Sequence, residues 1–131
     1  MKKLFLTILL ALSIFTLASC HYSSFHAVGL VQIQTKETLN ISFFSFKGRL
    51  AKKIEKTSDD NDELTFDASL SGSGEVTVYY EIRGEMKELF SLKAGETKKD
   101  KISGIMKTTQ VYIIIEAPEE VEEGSFSFSL K

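Results

Sequence analysis

The run Gln110-Val111-Tyr112-Ile113-Ile114-Ile115-Glu116, late in a chain of 131 residues, carries the strongest structural signal outside the N-terminus. Its β-branched residues disfavour a helix and suit a pleated strand. In a strand, successive side chains point to opposite faces. Val111, Ile113 and Ile115 then face one way, and Tyr112 and Ile114 the other. Both faces are apolar, so both must be at least partly covered and the strand is expected at the centre of a sheet. The chain closes on a second kind of strand, Ser125-Phe126-Ser127-Phe128-Ser129-Leu130. There the alternation is strict, with one face for a core and one for water.

Working outward, the same period of two recurs. Leu64, Phe66, Ala68 and Leu70 alternate with polar residues. Val76, Val78, Tyr80 and Ile82 follow after the turn Ser71-Gly72-Ser73-Gly74. Arg83-Gly84-Glu85 reads as a hairpin turn, with Lys87–Leu92 as the returning strand. Lys93-Ala94-Gly95-Glu96 is a second turn before Thr97–Ile102. Upstream, Val28–Gln34 and Leu39–Phe46 are strand-like, and the more polar Arg49–Lys56 reads as a separate edge strand. No window beyond the N-terminus has a helical period. About eight or nine short strands predict an all-β fold, an antiparallel β-sandwich of jelly-roll or Ig-like type over residues 27–131, with a barrel the less favoured closure.

The N-terminal residues 1–19 have a different logic. Lys2-Lys3 precedes an apolar run from Leu4 to Leu17, and small residues follow at Ala18 and Ser19. This is the layout of a secretory signal, an expected helix too short for a comfortable membrane span. Leu17-Ala18-Ser19-Cys20 resembles the lipobox of bacterial lipoproteins. The resemblance implies cleavage between Ser19 and Cys20 and a diacylglycerol on the Cys20 thiol. It implies residence at the cell membrane, lipid-anchored on the extracytoplasmic side. The last half of the chain, "SGSGEVTVYYEIRGEMKELFSLKAGETKKDKISG" through "QVYIIIEAPEEVEEGSFSFSLK", is similar to small lipoproteins of Gram-positive bacteria, which supports the fold and assigns no functional residue.

Cys20 is the only cysteine. Once lipidated it leaves the domain without a thiol for catalysis, a disulfide or a thiolate metal ligand. Without residues 1–19 the chain has 14 basic side chains against 18 acidic ones, so no basic field attracts nucleic acid and an anionic leaflet repels it mildly. Residues 20–26 read as a short tether, with His21 and His26 exposed in it and not as metal ligands.

Three features are candidates for chemistry. The acidic turn Ser58-Asp59-Asp60-Asn61-Asp62-Glu63 lacks the alternating oxygen ligands and the glycine of a calcium loop and reads as a solvated turn; no metal or other cofactor is expected. Glu116-Ala117-Pro118-Glu119-Glu120-Val121-Glu122-Glu123-Gly124 reads as an acidic loop, whose Glu119, Glu120, Glu122 and Glu123 could meet a basic partner. Tyr79 and Tyr112 are expected on one outward face if their strands share a sheet, and an aromatic face suits sugar rings. A carboxylate pair such as Glu81 with Asp67 is the one arrangement that glycoside cleavage would need, and nothing in the sequence directs it to a cleft. With no histidine in the body and no phosphate loop, an enzyme is not expected. The expected function is a binding module for an envelope glycan, peptide or protein. The alternative is an immunity-type or accessory lipoprotein that works through a membrane-protein partner.

Overall fold

The computed structural model describes residues 22–57, 62–105 and 110–131. They form eight strands and no helix: β1 Ser24–Val28, β2 Val31–Gln34, β3 Thr38–Glu55, β4 Glu63–Ser73, β5 Glu75–Ile82, β6 Glu85–Lys93, β7 Glu96–Ser103 and β8 Gln110–Leu130. Every pairing is antiparallel. The main path runs β1-β3-β8-β4-β7, with β2 also on β3 and the hairpin β5–β6 attached to β8.

Two long strands organise this sheet. β3 has 18 residues and β8 has 21, and they pair along most of their length. Strands of that length, on the order of 60 Å, exceed the span of one small core layer and must bend. The bend falls where the β3–β8 register shifts between Phe46 and Gly48. Gly48 has φ of 118°, and a Cβ there would sit 2.3 Å from the Ser24 carbonyl oxygen. Only glycine fits. The bend divides the sheet into two layers. The first holds Thr38–Phe46 of β3, Val121–Leu130 of β8, β4 and β7. The second holds Gly48–Glu55 of β3, Val111–Ala117 of β8, β5 and β6.

Between the layers lies the core. Phe90 of β6 stacks on Phe66 of β4 at 5.1 Å and lies 6.4 Å from both Phe126 and Phe128 of β8. Phe43 bridges Phe46 and Phe126 at 5.3 and 5.9 Å. These rings bury large apolar areas and supply most of the driving force in a fold with no disulfide among its described residues. The alternation expected from the sequence is the one observed. Leu64, Phe66, Ala68, Leu70, Phe126, Phe128 and Leu130 all point inward.

The expected central strand is central: Val111–Ala117 lies between β3 and β5. The turn at Arg83-Gly84 is also as read. Arg83 and Gly84 have φ of 54° and 78°, the left-handed pair of a tight two-residue hairpin.

Four boundaries differ. Leu39–Phe46 and Arg49–Lys56 are one strand, because Gly48 bends the chain without ending its pairing. Val28–Gln34 is interrupted at Gly29, whose φ of 65° separates β1 from β2. The acidic stretch Glu116–Gly124 is no loop but the middle of β8: Ala117, Val121 and Gly124 are buried while the glutamates between them face water. Finally, β1 begins at Ser24, so residues 24–26 of the expected tether are strand, held to β3 by the pairs Ser24↔Arg49, Phe25↔Gly48 and His26↔Lys47. The expected signal helix, Ser19, Cys20 and His21 lie outside the described residues.

Candidate functional site

The outward face of the second layer is built from three neighbouring strands. On β8, Ile114 stands directly opposite Tyr79 of β5 and Ala51 of β3. Two residues away, Tyr112 stands opposite Glu81 of β5 and Lys53 of β3. Two residues the other way, Glu116 stands opposite Thr77 and Arg49. Directly opposed residues share a face. Tyr79 and Tyr112 therefore lie on one face, as the alternation predicts, separated along the strands by one repeat.

This face is not a simple solvent surface. Ile114 is 0 % exposed although it points away from the main core, and Glu81 is 2 % exposed. The half-buried Tyr79 and Tyr112 stand beside them on that face, Tyr79 opposite Ile114 and Tyr112 opposite Glu81. Arg49 donates to the Glu116 carboxylate in a cross-strand ion pair, its side chain 11 % exposed. The ring of Tyr22 covers that guanidinium at 4.8 Å from the ring centre, a cation–π contact. Burial raises the Tyr79 phenol above its ordinary value; the Glu116 and Glu88 carboxylates push the same way and Arg49 opposes them. Further along, Lys53 pairs with Glu55 at 3.0 Å, which raises the ammonium and lowers the carboxyl. Beside Arg49 the surface dips into a shallow depression of about 370 Å³ lined by Tyr22, Ser24, Arg49, Glu116 and Pro118.

Such a face can do two things. Its tyrosine rings offer flat apolar surface to a ring-shaped ligand, and the Arg49–Glu116 pair offers a donor and an acceptor side by side.

The four glutamates expected to share in binding are not assembled with the tyrosines. Glu119 and Glu120 follow Pro118 at the bend, roughly 20 Å along β8 from Tyr112. Glu122 pairs across to Ser45 and Ser73, and Glu123 has φ of 57° and accepts from the Ser71 hydroxyl at 3.2 Å. They form an exposed acidic ridge. Asp67 and Glu81 do not form a carboxylate pair either. Asp67 is on β4 opposite Ser127 and Lys99, on the outside of the first layer, whereas Glu81 is under the outside of the second. In the acidic turn, Ser58, Asp59, Asp60 and Asn61 lie outside the described residues, while Glu63 pairs with Lys101 at 3.1 Å. Among the described residues no three His, Cys, Asp or Glu side chains gather as metal ligands. His26 is an exposed strand residue.

Arg49, Glu116 and Tyr22 are the site residues the sequence reading missed. Arg49 and Glu116 are 67 positions apart. The available signal was the placement of a charged residue at the end of each of two strands that proved to be neighbours.

Fold and site together define an all-β antiparallel sandwich with one aromatic, charge-paired outer face. No family model matches the chain, and no curated protein matches it in sequence. Among solved structures it is similar to a family 61 carbohydrate-binding module in complex with β-1,4-galactotriose, at 14 % identity and a TM-score of 0.49, over 87 % of this chain and 92 % of that one. It is also similar to family 29 carbohydrate-binding modules, in one case at 14 % identity and a TM-score of 0.42 over 82 % of this chain and 73 % of the other. A third similarity is to the Clostridium perfringens ZmpB structure containing an M60 catalytic domain with two family 51 modules. There the identity is 6 %, the TM-score 0.49, and the match spans 84 % of this chain and 14 % of that one.

Proposed function

We propose that this protein is a lipid-anchored binding module that holds a glycan of the cell envelope on the outer face of its second layer. The observation that carries the reading is the placement of Tyr79 and Tyr112 on one face beside the Arg49–Glu116 pair. A pyranose ring has apolar C–H faces and an equatorial rim of hydroxyls. The tyrosine rings match the faces, and the guanidinium and carboxylate match the rim. Both tyrosines are flanked by the buried Ile114, which is opposite Tyr79 and two residues from Tyr112 on β8. Such flanking lowers the entropy lost on binding.

Anchoring rests on Lys2-Lys3, the apolar run and Leu17-Ala18-Ser19-Cys20. A cysteine-linked diacylglycerol provides the two chains that stable attachment requires. Cys20→Ala is expected to abolish labelling by a fatty-acid analogue and to release or misprocess the protein; unchanged attachment would remove the anchor from this reading.

Glycan binding is tested by affinity electrophoresis and glycan-array retention of the protein and of Tyr79→Ala and Tyr112→Ala. Each substitution is expected to weaken binding about tenfold, the equivalent of roughly 1.4 kcal/mol for one aromatic contact. If neither wall polysaccharides nor arrays retain the protein, and an integral membrane protein co-purifies with it instead, the accessory-lipoprotein reading takes its place.

A further inference from the structure

Among the described residues, seven large hydrophobic side chains are exposed, and six of them lie between positions 22 and 44: Tyr22, Phe25, Val28, Val31, Ile33 and Phe44. Only Met86 lies elsewhere. The six belong to β1, β2, the position two residues before β1 and the strand they pair with. β1 and β2 pair with β3 alone, so they form one margin of the sheet. On β3, Asn40, Ser42 and Phe44 alternate with the buried Leu39, Ile41 and Phe43. Val31 pairs with Ser42 and Ile33 with Asn40, which sets Val31, Ile33 and Phe44 on the same outward face. Ile33 is 62 % exposed and Phe44 58 %. A concentrated apolar margin of this kind marks a contact surface, unlike apolar residues scattered singly.

The charges of the two strands suit a lipid partner. All 18 carboxylates of the chain lie between Glu37 and Glu123, and residues 22–36 contain none. On and across from β1 and β2 the charged or chargeable groups are Lys36, His26, Lys47 opposite His26 and Arg49 opposite Ser24; the carboxylates nearest to them are Glu37, Glu116 in its pair with Arg49, and Glu123 on β8 between the pairs Phe43↔Gly124 and Ser45↔Glu122. Strands β1 and β2 thus bring no acid of their own to a lipid surface, in a chain that is acidic elsewhere. Position supports the same partner. Cys20 precedes Ser24 by four residues, so a lipid on that cysteine holds the start of β1 within roughly 14 Å of the bilayer.

We propose that the β1–β2 margin, with Val31, Ile33 and Phe44 at its centre, rests on the lipid surface to which Cys20 is attached. The inference depends on the anchor reading and extends it from a tether to an orientation. Depth is limited by the backbone: the outer N–H and C=O groups of a margin strand are not tolerated in hydrocarbon, so the contact lies at headgroup level. Aromatic residues such as Tyr22 and Phe25 are at home there.

The chain has no tryptophan, so single substitutions make clean reporters. The full chain, expressed with its lipid, is reconstituted into phosphatidylethanolamine–phosphatidylglycerol vesicles with and without lipids brominated near the headgroup end of the acyl chain. Ile33→Trp and Phe44→Trp replace exposed side chains and are expected to lose roughly half their emission to the bromolipid, whereas Met86→Trp keeps its own. No quenching at 33 and 44 in a protein that still needs Cys20 for attachment overturns the orientation and leaves the anchor standing. Equal quenching at all three positions overturns it as well, since the contact would not be this margin. A concentration-dependent blue shift without quenching assigns the margin to a second copy of the chain. Loss of vesicle attachment altogether overturns orientation and anchor together.

Discussion

Strand β8 runs through both layers, and its two halves present outer faces of opposite character. In Val121–Leu130 the outward residues are Ser125, Ser127 and Ser129, flanked by Asn40 and Ser42 on one side and by Thr65, Asp67 and Ser69 on the other. They form a hydroxyl-rich surface with no ring on β8 or β4, the exposed Phe44 standing at its β3 edge. In Val111–Ala117 the outward residues are Tyr112, Ile114 and Glu116, flanked by charged and aromatic side chains. The backbone and the neighbouring core are shared, so the difference comes from the side chains alone. Strict alternation leaves a surface to water, and a break in the alternation announces a second buried layer.

Ile114→Ala breaks this comparison most sharply. If the outer tyrosine layer is packed like a core, removing the side chain is expected to cost about 2–4 kcal/mol in urea unfolding, the range for a large aliphatic residue in a closed site. A cost below about 1 kcal/mol would mean that the tyrosines merely drape over the strand, and the face would no longer differ in kind from that of the first layer.

The Arg49–Glu116 pair is the next test. Arg49→Ala is expected to cost about 1–3 kcal/mol, because it removes a charge-assisted hydrogen bond and the guanidinium stem on which Tyr22 lies. A double-mutant cycle with Glu116→Ala should show a coupling of about 1 kcal/mol, and additive costs would show that the pair contributes only through packing.

Most of the fold was legible because its strands obey a period of two over at least three repeats. Leu64–Leu70 and Ser125–Leu130 each state which face is buried, and their neighbours agree. The shared face of Tyr79 and Tyr112 followed from the same rule once the two strands were taken as one sheet. What was not legible depends on contacts far apart in the chain. Lys47-Gly48 looks like a turn, and only the tight approach of Ser24 reveals that it bends a continuous strand. Five glutamates around Pro118 look like a loop, because nothing local tells that Ala117, Val121 and Gly124 reach the interior while the charges stay outside. The ion pair of Arg49 with Glu116 needs the register of β3 on β8, which no short pattern carries.

Tyr79 sharpens the comparison by titration. Its phenol is raised chiefly by burial, so in the folded state it keeps its proton at a pH where the unfolded chain has begun to lose it. The folded state then binds more protons than the unfolded one, and stability falls as pH rises above the ordinary tyrosine value of about 10. Spectrophotometric titration is expected to show a late tyrosine component that Tyr79→Phe removes. Tyr79→Phe should also remove that part of the alkaline loss of stability. A single shared midpoint for all the tyrosines would place the Tyr79 hydroxyl in water and make the second face an ordinary one.

The smallest effect is expected on the other half of β8. The Ser127 hydroxyl donates to the Asn40 side chain across the strands, and Ser127 also opposes Asp67. Ser127→Ala deletes that bond at a surface where water replaces it, and is expected to change stability by no more than about 0.5 kcal/mol. The same substitution leaves the buried Phe126 and Phe128 untouched, since they point the other way. Urea midpoints of Ser127→Ala and Ile114→Ala, measured side by side, compare two outward residues of one strand. A Ser127→Ala cost that approached that of Ile114→Ala would show that the hydroxyl face is itself a packed surface, and that alternation alone does not tell a solvent face from a covered one.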